Sequence, residues 1–305
     1  MPAFHHLLVP LDGSRLAEVV LPTALAFAQG TGAQVTLLHV LERGAPQTVH
    51  GEPHLTEAAA AERYLRELAG RFAVDGLTLD FHVHANEEHD VAASIVDHVR
   101  ELGADLTVLT PHGSGGLRRW LIGSIAQQVL QRGTTPVLLV PPCEPGTQPS
   151  FELHSLLIPL DGKEAAEAVL PLAQEIARTW QAAVDLVQVV PTLSTVGGDR
   201  AASATLTPIA TASALHIEAQ VAQDYLGNLA ETWPADVPLK IGVLRGDPAQ
   251  EVVELVRRTR PDLIVLSTHG RTGLAGLWAA SVAPKIVMHV ARPILMVRVP
   301  VSPAG

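Results

Sequence analysis

The sequence predicts two tandem copies of an α/β domain, each built on an open parallel sheet. Three observations support this fold class. The chain has 305 residues, about twice the length of a typical domain. Its second half repeats segments of its first half, and within each half apolar strand patterns alternate with helical patterns. Such alternation is typical of a parallel sheet covered by helices on both faces.

An internal repeat relates the two halves. Residues 5–22 and 154–171 are identical at 12 of 18 positions, at an offset of 149. Residues 105–113 resemble residues 262–270 at an offset of 157, so the second copy carries an insertion of eight residues. We place this insertion in Thr192–Leu215, whose Ala, Ser and Thr content predicts a mobile surface loop.

The boundary between the copies follows from composition. Proline, glycine and serine cluster in Pro141–Glu152, which predicts a linker. A repeat of this length indicates a duplicated domain rather than a solenoid of short repeats. We therefore predict one domain over residues 1–145 and a second over residues 152–305.

Strand patterns recur along the first copy. Leu7–Leu11 is a continuous apolar run, as expected of a strand buried on both faces, whereas Leu77–His84 alternates between apolar and polar residues. The predicted strands, in chain order, are Leu7–Leu11, Gln34–Leu41, Leu77–His84, Leu106–Thr110 and Val137–Val140. The second copy repeats this order.

Helical patterns lie between these strands, and glycines mark two of their ends. The first predicted helix stops before Gly30-Thr31-Gly32, and the third stops at Gly103. In chain order the helices are Ala17–Gln29, Glu57–Phe72, Ala92–Leu102 and a helix that contains Ile125–Leu130.

Composition and charge exclude several classes of function. Apolar residues make up 47% of the chain, enough to bury a sizeable core. The net charge is −10 and both halves are acidic, which argues against binding the phosphate backbone of DNA or RNA. No apolar run approaches the length of a membrane span, and a single cysteine, Cys143, fits a reducing compartment. We therefore expect a cytoplasmic protein that binds neither nucleic acid nor membranes.

A glycine-rich loop follows the fourth predicted strand, where ligands of parallel sheets bind. This loop leads into a helix at Gly123-Ser124. A helix N-terminus offers unpaired amides and the positive end of a dipole, and glycine lets the backbone approach an anion closely. The loop carries neither a P-loop nor a dinucleotide-binding fingerprint, so the sequence predicts an anion site of another kind.

These motifs together resemble the universal stress protein family. The resemblance rests on Pro10-Leu11-Asp12 at a strand end, on His112-Gly113, and on Gly123-Ser124 nine residues later. It covers nearly the whole chain, once in each half. It implies a Rossmann-like fold of the adenine nucleotide alpha hydrolase type, repeated in tandem.

ATP-binding members of that family carry the motif Gly-x2-Gly-x9-Gly-Ser/Thr. The first copy matches three of the four positions and the second copy matches two. The positions are Thr110, Gly113, Gly123 and Ser124 in the first copy, and Ser267, Gly270, Ala280 and Ser281 in the second. We therefore expect unequal sites, with the first copy binding more tightly.

The resemblance implies an adenine nucleotide, ATP with or without Mg²⁺, as the ligand. Its adenine and ribose would contact Pro10, Asp12 and Val40. Its phosphates would contact Gly113, Gly123, Ser124 and the amides of Ile125 and Ala126. The second copy offers Pro159, Asp161 and Val190 in the places of the first three.

Several of these residues have purely structural explanations as well. Asp12 can start the following helix, and Ser124 with Gln127 has the form of a capping box. Arg118 and Arg119 can reach a phosphate or remain solvated.

Catalytic chemistry has little support in the sequence. No Ser-His-Asp or Cys-His order stands out, and His112 and His269 beside the glycine loops do not by themselves imply a reaction. His82 and His84 lie on one face of a strand, as metal ligands can, but a solvated pair is the simpler interpretation. We therefore predict neither a catalytic residue nor a metal site.

The sequence thus predicts a stress-responsive, regulatory ATP-binding protein. A slow ATP hydrolase and a nucleotide-free protein-interaction module are the alternatives. The apolar final strands Val137–Val140 and Ile294–Val297 predict that the two copies pair internally, and that two chains can associate further as a homodimer.

Overall fold

The computed structural model describes residues 3–111, 123–142, 151–269 and 282–299. The chain divides into two compact units: unit 1 runs to Glu152 and also includes Ala291–Arg298, and unit 2 contains Leu153–Val290 and the residues from Val299 onward. Some residues singled out above lie outside the described residues, namely Gly113, Gly270, Ala280, Ser281, His112, Arg118, Arg119 and Cys143.

The first copy has the predicted order of elements. Its strands are β1 (His6–Pro10), β2 (Gln34–Glu42), β3 (Thr48–Val49), β4 (Glu52–Pro53), β5 (Leu79–Glu88), β6 (Leu106–Leu109) and β7 (Val137–Leu139). Its helices are α1 (Arg15–Glu18), α2 (Leu21–Thr31), α3 (Ala58–Arg71), α4 (Val91–Leu102) and α5 (Ser124–Arg132).

The second copy follows the same scheme. Its strands are β8 (Ser155–Leu160), β9 (Ala183–Val190), β10 (Leu239–Arg245), β11 (Leu263–His269) and β12 (Ile294–Val299). Its helices are α6 (Glu164–Glu167), α7 (Leu170–Trp180), α8 (Asp199–Leu206), α9 (Pro208–Glu231), α10 (Pro248–Thr259) and α11 (Val282–Val287). None of the helices described is both long and apolar enough to cross a membrane.

The sheet of unit 1 has the strand order β12-β7-β6-β1-β2-β5. Its pairs are parallel except for β12, which runs antiparallel to β7. The chain moves outward from β1 in both directions, to β2 and β5 on one side and to β6 and β7 on the other. The point between β1 and β6 is therefore the switch point at which ligands of such sheets bind.

The sheet of unit 2 has the order β11-β8-β9-β10, and its pairs are parallel. This order repeats β6-β1-β2-β5 of unit 1. The predicted fold class, an α/β domain with a mostly parallel sheet in two copies, is confirmed.

The core of unit 1 surrounds its central strands. Leu7, Leu8 and Leu37 are completely buried between the sheet and its helices. Each contributes about 1.5–3 kcal/mol by leaving water, which explains the continuous apolar run in β1. The Asp105 carboxylate, just before β6, accepts hydrogen bonds from the backbone amides of His5 and His6 and so fixes the start of β1.

The insertion in the second copy is helical, so the prediction of a loop was wrong. Thr192–Leu215 contains α8 and the first turns of α9. The alanines that suggested a loop are strong helix formers, and Pro208 occupies the first turn of α9, where proline is favoured.

Two local features of the first copy also differ from the prediction. The first helix is divided into α1 and α2, because Pro22 at the start of α2 favours a new helix N-terminus. The third strand was predicted to end at His84, but β5 continues to Glu88, and its register against β2 shifts between Val40 and Glu42. This shift in register accommodates the additional residues that β5 has between these two pairs.

Candidate functional site

A cavity of about 340 Å³ opens at the switch point of unit 1. Its volume lies in the range of small-molecule sites, about 300–1,000 Å³. All the predicted site residues of the first copy that are described line it: Pro10, Asp12, Val40, Thr110, Gly123, Ser124, Ile125 and Ala126. The fold thus brings together residues from four segments of the chain, at the ends of β1, β2 and β6 and at the start of α5.

Asp12 has a structural role and also borders the cavity. Its Oδ1 accepts hydrogen bonds from the amide and the hydroxyl of Ser14, at 2.9 and 2.7 Å. Ser14 is in turn the N-cap of α1 and accepts from the amide of Ala17. The other carboxylate oxygen, Oδ2, lies 3.7 Å from Nε2 of His50. The helix-start explanation therefore accounts for one oxygen of Asp12, and the second oxygen is oriented toward His50.

The start of α5 differs from the capping box considered above. The N-cap is Gly123, in extended conformation at φ −60° and ψ 153°, and Ser124 is the first helical residue. Glycine has no side chain to accept from the first-turn amides, and among the described residues no side-chain hydrogen bond caps this helix. The amides of Ser124, Ile125 and Ala126 have no partners within the helix, because first-turn amides precede the first helical hydrogen bond. This is the arrangement that binds anions at helix N-termini.

A segment between β2 and α3, residues 43–56, supplies another wall of the cavity through Val49, His50 and His54. We call it the hairpin segment because it contains the β3–β4 pair. Nothing in the sequence predicted its role, since it has neither strand nor helix periodicity. Its two short strands and its contacts are fixed by the tertiary structure.

His39, which is buried in β2, anchors the hairpin segment. Its Nδ1 lies 2.8 Å from the carbonyl oxygen of Leu11, and its Nε2 lies 3.1 Å from the carbonyl oxygen of Leu55. Carbonyl oxygens only accept, so the imidazole donates to both when both ring nitrogens carry protons. His39 therefore ties the hairpin segment to the strand end that carries Asp12.

The charged groups that border the cavity within the described residues are acidic or imidazole groups. Asp12, Glu42, His39, His50 and His54 line it, and no lysine or arginine does so there. Burial, together with the charges of Glu18 and Asp12, raises the pKa of the Tyr64 hydroxyl far above its usual range, so this phenol stays neutral. Among the described residues, the backbone amides at the start of α5 and the α5 dipole are therefore the groups best placed to meet negative ligand charge.

The corresponding residues of unit 2 form a different arrangement. Pro159 and Val190 lie in β8 and at the end of β9, and Ser267 lies in β11. Oδ1 of Asp161 accepts from the amide of Lys163, and its Oδ2 lies 3.2 Å from the Lys163 ammonium. Lys163 occupies the place of Ser14, so the second carboxylate oxygen is engaged by a cation here.

The sequence pattern of the universal stress protein family matches residues 3–141 and again residues 152–298. A universal stress protein of Methanocaldococcus jannaschii is 32% identical over 145 residues, covering 48% of this chain and 82% of that protein. A universal stress protein of Mycolicibacterium smegmatis is 26% identical over 306 residues, covering 96% of each.

One solved structure extends the similarity to three dimensions. The crystal structure of a universal stress protein from Archaeoglobus fulgidus aligns with a TM-score of 0.69. It covers 96% of this chain and 98% of that chain at 15% sequence identity, which supports the shared fold.

Proposed function

The chain belongs to the universal stress protein family, and we propose that its unit 1 binds an adenine nucleotide, ATP, in the cavity at the switch point. The observation that carries this proposal is that residues of separate motifs lie together in space. Residues chosen from separate sequence motifs, among them Asp12, Val40 and Gly123, line one cavity of suitable volume.

In the proposed complex the phosphates lie against the first turn of α5. The amides of Ile125 and Ala126 donate to phosphate oxygens, and the positive end of the helix dipole adds electrostatic attraction. Gly123 has no Cβ, so the phosphates approach the backbone closely. Because no lysine or arginine among the described residues lines the cavity, these backbone amides are important donors to the phosphates.

The nucleoside lies toward β1 and β2. Pro10 and Val40 offer apolar surface to the adenine, and Val91 and Ile95 of α4 extend that surface. A carboxylate oxygen of Asp12 accepts from a ribose hydroxyl. If Mg²⁺ accompanies the nucleotide, it supplies charge neutralisation, and the carboxylates of Asp12 and Glu42 offer the oxygen atoms that this ion prefers.

We propose a regulatory, stress-responsive role in the cytoplasm for the nucleotide-bound protein. The experiment that tests binding is to denature the purified chain and identify released small molecules by mass spectrometry. The nucleotide-free chain is then titrated calorimetrically with ATP, ADP, AMP and cyclic AMP. ATP in the released fraction and a saturable ATP titration support the proposal. An empty protein with no heat of binding for any of the four would refute it.

A further inference from the structure

Three histidine side chains of unit 1 meet beside the outer strand of its sheet. They are His82 and His84 of β5 and His98 of α4, and one ring nitrogen of each lies within 4.8 Å of the others. The ring centroids of His82 and His84 each lie 5.0 Å from that of His98. We call this group the histidine cluster.

The strand geometry explains why two of the three share a face. Side chains alternate along a strand, so His82 and His84 point to one side and Phe81 and Val83 to the other. Arg66 of α3 lies over the Phe81 ring at 5.6 Å, which identifies that other side as the α3 face. His82 and His84 therefore lie on the opposite face of the sheet, where they meet His98.

Burial gives the cluster a fixed base and an open side. His98 lies on the buried face of α4 and is only 4% exposed, whereas His82 is exposed at the sheet edge. A cation from solvent can therefore reach the cluster past His82.

Hydrogen bonds hold two of the imidazoles in one tautomer. Nδ1 of His98 donates to the carbonyl oxygen of Ser94 at 2.7 Å, so its Nε2 keeps a free lone pair. Nε2 of His84 donates to the Glu88 carboxylate at 3.1 Å, so its Nδ1 keeps one. Support of the second ring nitrogen by a carbonyl or a carboxylate is the usual environment of a metal-binding histidine.

The surroundings of His82 favour its neutral form, and a carboxylate lies nearby. Burial and the neighbouring His98 and His84 lower the pKa of His82, while the carboxylate of Glu101 opposes this shift. Glu101 follows His98 by three residues on α4, so the two share one side of the helix. Neutral imidazole is the form that binds metal ions.

We propose that His82, His84 and His98 bind one divalent transition-metal ion, for which Zn²⁺ is the best-suited candidate. Three imidazoles with a remaining position for water form a familiar zinc ligand set, and imidazole nitrogens suit this ion. Metal–nitrogen distances of about 2.1 Å place tetrahedral ligand atoms about 3.4 Å apart. Closing the cluster therefore requires small ring movements, for which the exposed His82 has room. This proposal does not depend on nucleotide binding.

The test uses the full chain, stripped of metal and nucleotide, and Zn²⁺ in competition with a chromogenic chelator. The test variant is His82→Asn with His84→Asn, which changes side chains at the sheet edge and leaves the buried His98 in place. The matched control is His89→Asn, an exposed histidine just beyond the same strand. The control is needed because the chain has 14 histidines, and weak binding of Zn²⁺ to exposed histidines must be distinguished from binding to the cluster.

We expect one tight Zn²⁺ per chain, weakened at least about 100-fold in the double variant, since loss of a supporting partner alone costs about 10–100-fold. The His89→Asn chain should bind Zn²⁺ as the parent does, and Co²⁺ should give tetrahedral absorption bands only in the parent and this control. Equal affinity of parent and double variant, or an equal loss in the control, would overturn the proposal. ATP titration of the double variant should be unchanged, so this result is separable from failure of the nucleotide proposal.

Discussion

Replacement of Gly123 by aspartate should make the protein more stable and at the same time unable to hold nucleotide. Gly123 is the N-cap of α5 in an extended conformation that aspartate adopts readily. The new carboxylate would accept from the amides of Ile125 and Ala126, the donors that we assign to the phosphates. One substitution thus gives the helix a capping side chain and takes the same two amides away from the ligand.

The magnitudes follow from those two amides. An aspartate N-cap in place of glycine, with the favourable dipole and the less flexible unfolded chain, should add about 0.5–1.5 kcal/mol to the free energy of unfolding. Two hydrogen bonds to a charged phosphate are worth about 1.5–3 kcal/mol each, so their loss should weaken ATP binding at least about 100-fold. Repulsion between carboxylate and phosphate adds to this loss.

Urea denaturation measures the first effect and calorimetric titration with ATP the second. Glu57→Asp is the matched control, because Glu57 is the N-cap of α3 without a side-chain hydrogen bond and does not line the cavity. It should gain stability and keep its affinity for ATP. Gly123→Val adds bulk without a carboxylate and should lose affinity without the gain in stability. A Gly123→Asp chain that is more stable and binds ATP as tightly as the parent would refute the assignment of the phosphates to α5.

Three further predictions concern other parts of unit 1. Asp12→Asn keeps an acceptor for Ser14, so the urea midpoint should stay nearly unchanged. Calorimetry should show ATP binding weakened about tenfold, and an affinity equal to that of the parent would contradict the ribose contact. Asp90 caps α4, and Arg132 holds the pKa of its carboxyl low, so Asp90→Ala should cost about 1 kcal/mol at neutral pH. A carboxyl group whose pKa is lowered by folding stabilises the fold above its ordinary pKa, and this stabilisation is lost as the pH falls through the lowered pKa. The free energies of unfolding of parent and variant should therefore converge in acid denaturation curves. A constant difference between them would argue against the Asp90–Arg132 pair. Leu295→Asp places a charge in the buried β12, so hydrogen exchange should accelerate at Leu138, its partner in β7; unchanged protection there would argue against the β7–β12 pairing.

Local sequence patterns predicted much of the fold and part of the candidate site. The ends of β1 and β6 and the start of α5 were predictable, because apolar runs and glycines act through near neighbours in sequence. Since parallel strands end at one edge of the sheet, Asp12, Val40 and Gly123 could be expected to lie together.

What the sequence did not reveal depends on contacts between distant segments. His39 anchors the hairpin segment only because the fold brings the carbonyl groups of Leu11 and Leu55 to the two nitrogens of its imidazole. No periodicity in the sequence predicts these contacts. His98 looked like an ordinary helical residue, and only the fold places it against His82 and His84. In the insertion of the second copy, the serines and threonines around the alanines suggested a loop. The helix propensity of the alanines prevails there.

The assignment of β12 to unit 1 has a consequence for biosynthesis. Ile294, Leu295 and Met296 pair with residues 137–139, and Arg298 donates to the backbone carbonyl of Gln131, yet these partners are separated by most of the second copy in sequence. The ribosome therefore synthesises nearly all of the second copy before the sheet of unit 1 receives its last strand. Until then the apolar β7 is an uncovered edge, the kind of surface on which nascent chains aggregate and chaperones act. Synthesis of the second copy, rather than completion of the first copy, is thus the step after which this unit can reach its native state.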